Sequence, residues 1–283
     1  MKRTITTSAV IAMLLSPISD VYAEQRTNAV TNNKGCITEK IEVKEEKKVS
    51  ELRRELSRKF DSKTIDSIFN DAEFKIEKGV MYNWNGCKAD GKEKFVIRNY
   101  DDYKRVLGIN EIFELKQRFM EEHKEALEMA EKRHKVNKEY ITGIIGIETK
   151  FGNNLGRYKT VNALASTYVF VEKKRKFALD HLAELIDYSK RTKIPIFSLK
   201  GSYAGATGFS QFLPWSLNRE FVGEAGDVTK SHPFNMRDAI FSSAYYLSKR
   251  GFSNNHDKAI LRYNNSKHYL TAVKEIAMFR ENN

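Results

Sequence analysis

Residues 141–152, Ile-Thr-Gly-Ile-Ile-Gly-Ile-Glu-Thr-Lys-Phe-Gly, decide the fold of this chain. Three isoleucines lie at i, i+3 and i+4 and Glu148 lies at i+7, a spacing that predicts a helix with these four side chains on one face. Gly152 is of the residue type that most often ends a helix in the left-handed conformation. We therefore expect a central helix over 138–151 with Glu148 in its last turn.

The position of Glu148 predicts unusual acid chemistry. The negative end of the helix dipole and the apolar neighbours both disfavour a carboxylate anion, so the protonated acid is favoured. A carboxylic acid that stays protonated near neutral pH is what a glycosidase uses as its general acid. The alternative is an exposed glutamate at a helix end, with the isoleucines serving only as core.

The composition points to an anionic partner. The chain has 283 residues, and 49 Lys and Arg against 37 Asp and Glu give a net charge of +12. Hydrophobic residues make up 41% of the chain, enough for a sizeable core. No nucleic-acid-binding motif is present, so we expect no nucleic acid. A membrane surface or an acidic cell-wall polymer remains as the partner.

The first 23 residues have the pattern of a signal peptide. Lys2 and Arg3 precede a short apolar run at 9–15, and Val21-Tyr22-Ala23 has small residues at the two positions that a signal peptidase recognises. The apolar run is too short for a permanent membrane anchor. Residues 1–23 are therefore predicted to be removed on export to the periplasm.

Two cysteines, Cys36 and Cys87, are present. In an oxidising compartment an even pair predicts a disulfide, and two free buried thiols are the alternative. No metal-ligand spacing such as His-Glu-x-x-His or Cys-x-x-Cys occurs. We expect neither a metal nor a cofactor.

The rest of the chain predicts a mainly α fold. A flexible leader over 24–45 is followed by an N-terminal helical region over 46–137 and a catalytic domain over 138–283. In the first region Ser62 is expected to cap a helix, and Leu115 to be buried within a helical stretch from 99 to 131.

Asn235 and Asp238 resemble a capping box that opens a helix over 236–250. This gives Asp238 a structural explanation and makes it a weak catalytic candidate.

A glycine-rich stretch at 201–214, Gly-Ser-Tyr-Ala-Gly-Ala-Thr-Gly-Phe-Ser-Gln-Phe-Leu-Pro, is the second informative segment. Its glycines allow the backbone to approach a ligand closely. Ser202 and Gln211 suit sugar hydroxyl and N-acetyl groups. A phosphate-binding loop or a plain turn is the alternative, although the Gly-Lys-Ser/Thr ending of phosphate loops is absent.

Four motifs in order carry a family resemblance: Glu-Thr-Lys-Phe-Gly at 148–152, the glycine-rich stretch at 201–214, Asp-Ala-Ile-Phe-Ser-Ser-Ala-Tyr-Tyr at 238–246 and Arg-Tyr-Asn at 262–264. Together they resemble the membrane-bound lytic murein transglycosylase B family, which includes soluble lytic transglycosylase 35. The resemblance runs from about residue 60 to the end of the chain. It implies a lysozyme-like α-domain with helical flanking regions, and cleavage of the β-1,4 bond between N-acetylmuramic acid and N-acetylglucosamine.

The resemblance also implies site residues. The family's catalytic glutamate matches Glu148. The residues that match its sugar-binding positions are Ser202, Gln211, Tyr263, Asn264, Tyr269, Tyr246 and Tyr103, the last in a less distinctive region. The implied partners are glycan strands of peptidoglycan, and the sequence leaves open whether a cell-envelope machine also binds.

Three segments depart from the family pattern. The stretch 222–232, where members often carry a calcium loop, has too few spaced acids for calcium. The family's arginine pair is replaced by Glu-Lys-Lys-Arg-Lys at 172–176. The spacer between Gly251 and Tyr263 is short, so part of an outer domain is missing.

The count of carboxylates indicates a mechanism. Hydrolytic glycosidases need two, whereas the sequence offers one in an apolar setting. Glu148 would protonate the glycosidic oxygen and then deprotonate the sugar's own 6-hydroxyl, giving a 1,6-anhydro product. The alternatives are a hydrolytic muramidase and a non-enzymatic scaffold that binds peptidoglycan.

Overall fold

The computed structural model describes residues 42–87 and 95–280, with side chains from residue 45 onward. The predicted mainly α class is confirmed. The helices in chain order are α1 (Glu42–Ser57), α2 (Ser62–Phe69), α3 (Lys78–Trp84), α4 (Tyr100–Leu107), α5 (Ile109–Glu122), α6 (Lys124–His134), α7 (Lys138–Thr149), α8 (Thr160–Phe170), α9 (Arg175–Thr192), α10 (Pro214–Glu220), α11 (Met236–Lys249), α12 (His256–Tyr263) and α13 (Lys267–Met278).

Two short strands fix the position of the glycine-rich stretch. Strand β1 (Tyr158–Lys159) pairs antiparallel with β2 (Lys200–Gly201), with Tyr158 opposite Gly201. Bridges from Gly201 to Thr207 and from Thr207 to Phe212 fold the stretch back on itself. The glycine-rich loop is therefore a compact element attached to the chain that follows α7.

The central helix is α7, and its isoleucines are buried as the spacing predicts. Helix α13 packs along it, and α5, α6 and α11 also contact it. Two glycines permit this close packing: a Cβ on Gly143 would lie 3.0 Å from the carbonyl oxygen of Val273, and one on Gly146 would lie 2.9 Å from the side chain of Ile112. A side chain at Gly143 would press on the backbone of α13, and one at Gly146 would require the side chain of Ile112 to move.

One large hydrophobic core unites most of the described helices, with buried members between Leu52 in α1 and Ile276 in α13. A second, smaller cluster joins Val80 of α3 to Tyr158 and Tyr203. Helices on both sides of residue 137 contribute to the large core. The predicted division into regions 46–137 and 138–283 stays a prediction.

Two helix-boundary details differ from expectation. The side chain of Asp61, not Ser62, caps α2 by accepting a hydrogen bond from the Thr64 N–H at 2.8 Å. Helix α7 ends two residues earlier than Gly152 suggests, because Lys150 itself takes the left-handed conformation with φ of 48°. Glu148 still lies in the last turn, as predicted.

One buried position also differs from expectation. Leu115 is half-buried, and its neighbour Lys116 is 6% exposed. The Lys116 ammonium donates to the carbonyl oxygens of Ala277 and Phe279 at 3.1 and 2.6 Å. Because these carbonyls lie at the end of α13, the buried cation stabilises that helix end. The hydrophobic pattern missed this arrangement because it assumes that charged residues face solvent.

Several predictions fall on residues that the structure does not describe. The signal peptide over 1–23, most of the leader over 24–45, and Cys36 lie outside the described residues. Cys87 is buried at 5% exposure, and its pairing with Cys36 stays a prediction. Among the helices that the structure describes, none combines the length and the apolar character needed to cross a membrane.

Candidate active site

Glu148 lies at the end of α7, where only 3% of the residue is exposed. The hydroxyl of Tyr269 in α13 donates a hydrogen bond to Glu148 Oε1 at 2.8 Å. Burial raises the pKa of Glu148 to about 8, and the Tyr269 hydrogen bond opposes this by favouring the anion. The side chain is therefore a protonated acid at neutral pH that can give up its proton without a large cost.

Tyrosines surround this acid. The ring of Tyr263 stacks on that of Tyr269 with centroids 6.4 Å apart, and the Tyr263 hydroxyl donates to the Ser210 carbonyl at 2.6 Å. Tyr103 from α4 is fully buried on the same side. Burial, with the charge of Glu148 adding to it, raises the pKa of all three phenols well above the usual value. They remain neutral hydrogen-bond donors throughout the pH range in which Glu148 titrates.

The backbone next to Glu148 is strained. Lys150, Phe151 and Gly152 all have positive φ, of 48°, 57° and 95°. Two consecutive non-glycine residues in this region are costly, and such residues cluster at functional sites. The Lys150 ammonium pairs with Glu111, which anchors the turn to the start of α5. Gln211, another predicted site residue, also has positive φ, of 49°.

A threonine joins this turn to the glycine-rich loop. Thr149 Oγ1 donates to the Phe209 carbonyl at 3.1 Å and accepts a hydrogen bond from the Gly152 N–H at 3.2 Å. Within the loop, Gly201 has no room for a side chain, because a Cβ there would collide with the Ala206 carbonyl. The loop is therefore held tightly against the end of α7.

Ser202 and Gln211 are both buried within that loop. Ser202 Oγ accepts a hydrogen bond from the Ala206 N–H at 3.0 Å. Gln211 Nε2 donates to the carbonyls of Gly208 at 2.8 Å and Leu155 at 3.4 Å. The structure places these two side chains as supports of the loop, and neither is in hydrogen-bond contact with Glu148.

Asn264 and Tyr103 carry polar groups without partners. Asn264 is fully buried, and neither atom of its side-chain amide has a hydrogen-bond partner in the described part of the chain. The Tyr103 hydroxyl also has no hydrogen-bond partner among the described residues. Buried polar atoms are normally satisfied, so these two groups are available to a bound water or to a polar group of a ligand.

Tyr246 is oriented toward the protein. Its hydroxyl donates to the Arg262 carbonyl at 2.8 Å, and its ring packs on Tyr263 with centroids 4.8 Å apart. The Arg250 guanidinium lies 3.5 Å from the ring centroid on another side. This geometry makes Tyr246 a support for Tyr263, and its predicted contact with sugar stays a prediction.

Asp238 departs from the expected capping box. The Asn235 side chain does cap α11, accepting from the Asp238 N–H at 3.1 Å. The Asp238 carboxylate, however, accepts from the Glu224 N–H at 3.2 Å and the His232 N–H at 2.9 Å. It therefore holds the 222–232 loop instead of closing the box, because the loop amides compete successfully for its oxygens.

That loop has further anchors. Arg237 makes a two-point ion pair with the Glu224 carboxylate at 2.6 and 2.8 Å, and Ser242 Oγ accepts from the Gly223 N–H at 2.9 Å. Across the residues that the structure describes, no three His, Cys, Asp or Glu side chains are grouped in a way that could hold a metal ion.

Residues that the sequence argument did not single out complete the site. Ser210 Oγ bonds to Ser243 Oγ at 2.9 Å and to the Ala239 carbonyl at 3.1 Å, which ties the glycine-rich loop to α11. Together with Thr149 these serines lie inside the matched motifs. A small hydroxyl side chain within a matched motif was the feature of the sequence that could have identified them.

This arrangement can be compared with known proteins. A family model described as "Transglycosylase SLT domain" matches residues 44–259. The chain belongs to this family. The matched residues of this transglycosylase SLT domain protein include Glu148, Tyr246, Tyr103 and the glycine-rich loop, and end before Asn264 and Tyr269.

Two further comparisons agree with the family. The membrane-bound lytic murein transglycosylase B of Escherichia coli K12 is 29% identical over 143 residues, which is 50% of this chain and 39% of that relative. The chain thus spans less than half of that relative's length. The soluble lytic transglycosylase SltB1 of Pseudomonas aeruginosa has a TM-score of 0.71 at 22% identity, covering 81% of this chain and 96% of the relative.

The Escherichia coli lytic transglycosylase Slt35, solved with bulgecin A, has a TM-score of 0.69 at 20% identity over 81% of this chain and 91% of that one. Pseudomonas aeruginosa SltB3, solved with a NAG-anhNAM-pentapeptide, gives 0.69 at 20% identity over 82% and 78%. At these identities the likeness establishes the lysozyme-like transglycosylase fold of this family member.

Proposed function

We propose that this protein is a periplasmic lytic transglycosylase that cleaves the β-1,4 bond between N-acetylmuramic acid and N-acetylglucosamine in peptidoglycan. The observation that carries the proposal is the state of Glu148: a buried carboxylic acid with its pKa raised to about 8 and one tyrosine hydrogen bond. An acid of this kind is protonated before reaction and can act as a base after it has given up its proton.

Glu148 would perform two proton transfers. It first donates its proton to the glycosidic oxygen as the bond from C1 of the muramic residue breaks, and the N-acetylglucosamine side leaves with a free hydroxyl. The Glu148 anion, stabilised by the Tyr269 hydroxyl, then takes the proton from the muramic 6-hydroxyl while that oxygen bonds to C1. No water is consumed, and Glu148 ends protonated as it began.

The orphaned polar groups support recognition of the sugar. The Asn264 amide offers an NH2 group with two donors and a carbonyl acceptor, none with a partner among the described residues, which complements an N-acetyl group. The Tyr103 hydroxyl offers a second donor near Glu148. Holding the N-acetyl group in place would position its oxygen to stabilise positive charge at C1.

Names of the relatives support the substrate class. SltB3 was solved with a peptide-bearing disaccharide containing an anhydro-muramic residue, and the Escherichia coli relative is named a lytic murein transglycosylase. An anhydro sugar is the product expected from the two proton transfers proposed for Glu148.

A hydrolytic muramidase is the second candidate. It requires a second carboxylate that activates water or acts as nucleophile. Asp238, the other acid in the matched motifs, accepts hydrogen bonds from two amides of the 222–232 loop, which explains its presence without a catalytic role. A scaffold without activity is disfavoured because such a role gives no reason to keep a buried acid.

We further propose that the protein is exported by the predicted signal peptide and carries a Cys36–Cys87 disulfide. Glycan strands are the proposed partner, and the basic net charge suits an acidic wall polymer. Thiol labelling of the mature protein without reductant should leave both cysteines unmodified, and labelling at both would contradict the disulfide.

The product of wall digestion tests the reaction. Purified sacculi digested by the mature protein should release fragments with anhydro-muramic ends, which mass spectrometry detects because they lack one water relative to hydrolytic products. New reducing ends in their place would establish the muramidase. Absence of any soluble product, with sacculus binding retained, would favour the scaffold.

A further inference from the structure

Trp215 is a large apolar side chain at the surface. It lies at the start of α10, and 45% of it is exposed. The Arg219 guanidinium lies over its ring, 4.9 Å from the centroid. Leaving an indole in water is unfavourable, and exposed tryptophans are enriched where a ligand covers them.

The Trp215 backbone and one face of its ring are held by neighbouring residues. The Trp215 backbone N–H donates to His181 Nδ1 at 3.4 Å, and burial lowers the pKa of His181 to about 4, which leaves that nitrogen free to accept. Arg219 is itself held by a two-point pair with Glu184, at 2.5 and 2.7 Å. A rigid aromatic surface binds a ligand with little loss of conformational entropy.

One face and the polar edge of the indole remain available. In the part of the chain that the structure describes, no aromatic ring stacks on Trp215, and no group accepts a hydrogen bond from its indole N–H. With Arg219 covering one face, the other can receive a flat apolar surface and the N–H can donate to a hydroxyl. A pyranose ring presents both, because its C–H groups pack against the electron-rich face of an indole.

The position relates Trp215 to the proposed active site. It follows Gln211 by four residues, so the two Cα atoms are at most about 14 Å apart. The glycine-rich loop that contains Gln211 is anchored to the end of α7 through Thr149. A glycan strand bound at the loop therefore needs to extend by only a short length to reach the indole.

We propose that Trp215 forms a distal sugar subsite that stacks on an N-acetylhexosamine ring of a glycan strand extending beyond the catalytic acid. The inference rests on the proposed function and adds the binding of long glycan chains to it. A neutral sugar fits this surface better than an anionic lipid headgroup. Arg219 is already paired with Glu184, and Asp187 and Glu220 lie close enough to act on the same guanidinium.

Three variants, including a matched control, test the subsite. Phe95 provides the control, since it is an aromatic residue at 47% exposure with the Arg105 guanidinium 5.8 Å from its ring centroid. Trp215→Ala should raise KM for long, peptide-free glycan strands by about tenfold. It should leave kcat/KM for a tetrasaccharide-length fragment unchanged. Trp215→Phe should restore most of the loss, and Phe95→Ala should behave as wild type.

Binding is measured separately in the Glu148→Gln background, where turnover is removed. Long glycan strands should change the intrinsic tryptophan fluorescence, and this change should be absent when Trp215→Phe is added. Equal KM values for Trp215→Ala and Phe95→Ala on long strands would overturn the subsite while leaving the proposed reaction intact. If Trp215→Ala loses binding to phosphatidylglycerol vesicles and keeps its binding to glycan, the sugar subsite is also overturned, in favour of a membrane contact.

Failure of the proposed function has a different signature. If wild-type protein forms no anhydro-muramic ends, the transglycosylase assignment fails. The fluorescence titration with glycan strands still reports whether Trp215 contacts sugar.

Discussion

Glu148 and Asp238 are carboxylates at helix ends within two of the matched motifs, yet their surroundings differ in almost every respect. Glu148 lies in the last turn of α7, is 3% exposed, and receives one hydrogen bond within the described residues, from Tyr269. Asp238 lies in the first turn of α11 and accepts two backbone N–H groups from the 222–232 loop. The helix dipole opposes an anion at Glu148 and favours one at Asp238.

This difference separates a reactive acid from a structural one. An anion that accepts backbone hydrogen bonds is stable and fixes the chain around it. A buried acid with few hydrogen-bond donors keeps its proton and can transfer it. The motif alone does not distinguish the two, since both positions are occupied by an acid, and the surrounding donors decide.

The largest expected effect is on activity at Glu148. Glu148→Gln keeps the shape and the hydrogen bond to Tyr269 but removes both proton transfers, so turnover of sacculi should fall by about 10⁴-fold. The measurement is release of soluble muropeptides per unit time, with sacculus binding retained. Glu139→Gln, at the other end of α7, serves as the control and should turn over normally. Near-normal turnover by Glu148→Gln would show that another group is the acid.

The same substitution should change how stability depends on pH. The pKa of Glu148 is about 8 in the folded protein and about 4.3 in the unfolded chain. Between these values only the folded state holds the proton, so the wild-type free energy of unfolding falls as pH rises toward 8. Glutamine does not titrate. The stability of Glu148→Gln relative to wild type should therefore increase by on the order of 3 kcal/mol between pH 5 and pH 8.

Urea unfolding at the two pH values measures this difference, with Glu139→Gln again as the reference. A constant offset between wild type and Glu148→Gln across that range would mean that Glu148 is ionised in the folded protein.

The effect at Asp238 should be on stability, not chemistry. Asp238→Asn replaces one carboxylate oxygen by an N–H donor that faces a loop amide, so we expect a loss of about 2 kcal/mol. Thermal unfolding should show a Tm lowered by about 5 °C, with activity per folded molecule maintained below that temperature. Asp187→Asn changes an exposed carboxylate on α9 and should have no such effect. A drop in turnover without a drop in Tm would give Asp238 a catalytic role.

The smallest effect is expected from metal removal. The 222–232 loop is held by Asp238, Arg237 and Ser242 through protein contacts. A chelator should therefore leave both the Tm and the release of muropeptides unchanged. Loss of activity in chelator that calcium restores would show that a cation contributes to this loop.

The parts of the structure that could be predicted are those that depend on residues close together in the sequence. The helical class, the burial of the α7 isoleucines and the placement of Glu148 in a last turn all follow from spacing along a single helix. The predicted end of α7 lies two residues too late in the chain. Lys150 adopts the left-handed conformation and pairs with Glu111, 39 positions earlier, and the helix stops before it. Such a partner cannot be identified from periodicity.

Contacts between distant segments were less accessible. Tyr269 and Glu148 are 121 residues apart; the family resemblance assigned both to the site, but their hydrogen bond was not predicted. Asp238 was predicted to help cap its own helix, because a capping box is a local pattern. Its carboxylate instead accepts hydrogen bonds from the 222–232 loop, which that pattern does not include. The exposure of Trp215 also depends on how α10 packs, which no local rule describes.

The large core shared by helices from α1 to α13 means that the surroundings of Glu148 do not come from one segment of the chain. The environment of Glu148 draws on Tyr103 of α4 and on Ile112 of α5, which contacts Gly146, as well as on Tyr269 of α13. The acid character proposed for Glu148 thus depends on several helices of the assembly, and not only on the segment that carries its motif. If the segment from residue 138 onward were placed in another protein, the motif residues would be transferred. The buried, low-dielectric surroundings that keep Glu148 protonated would be lost, because α4 and α5 contribute to them.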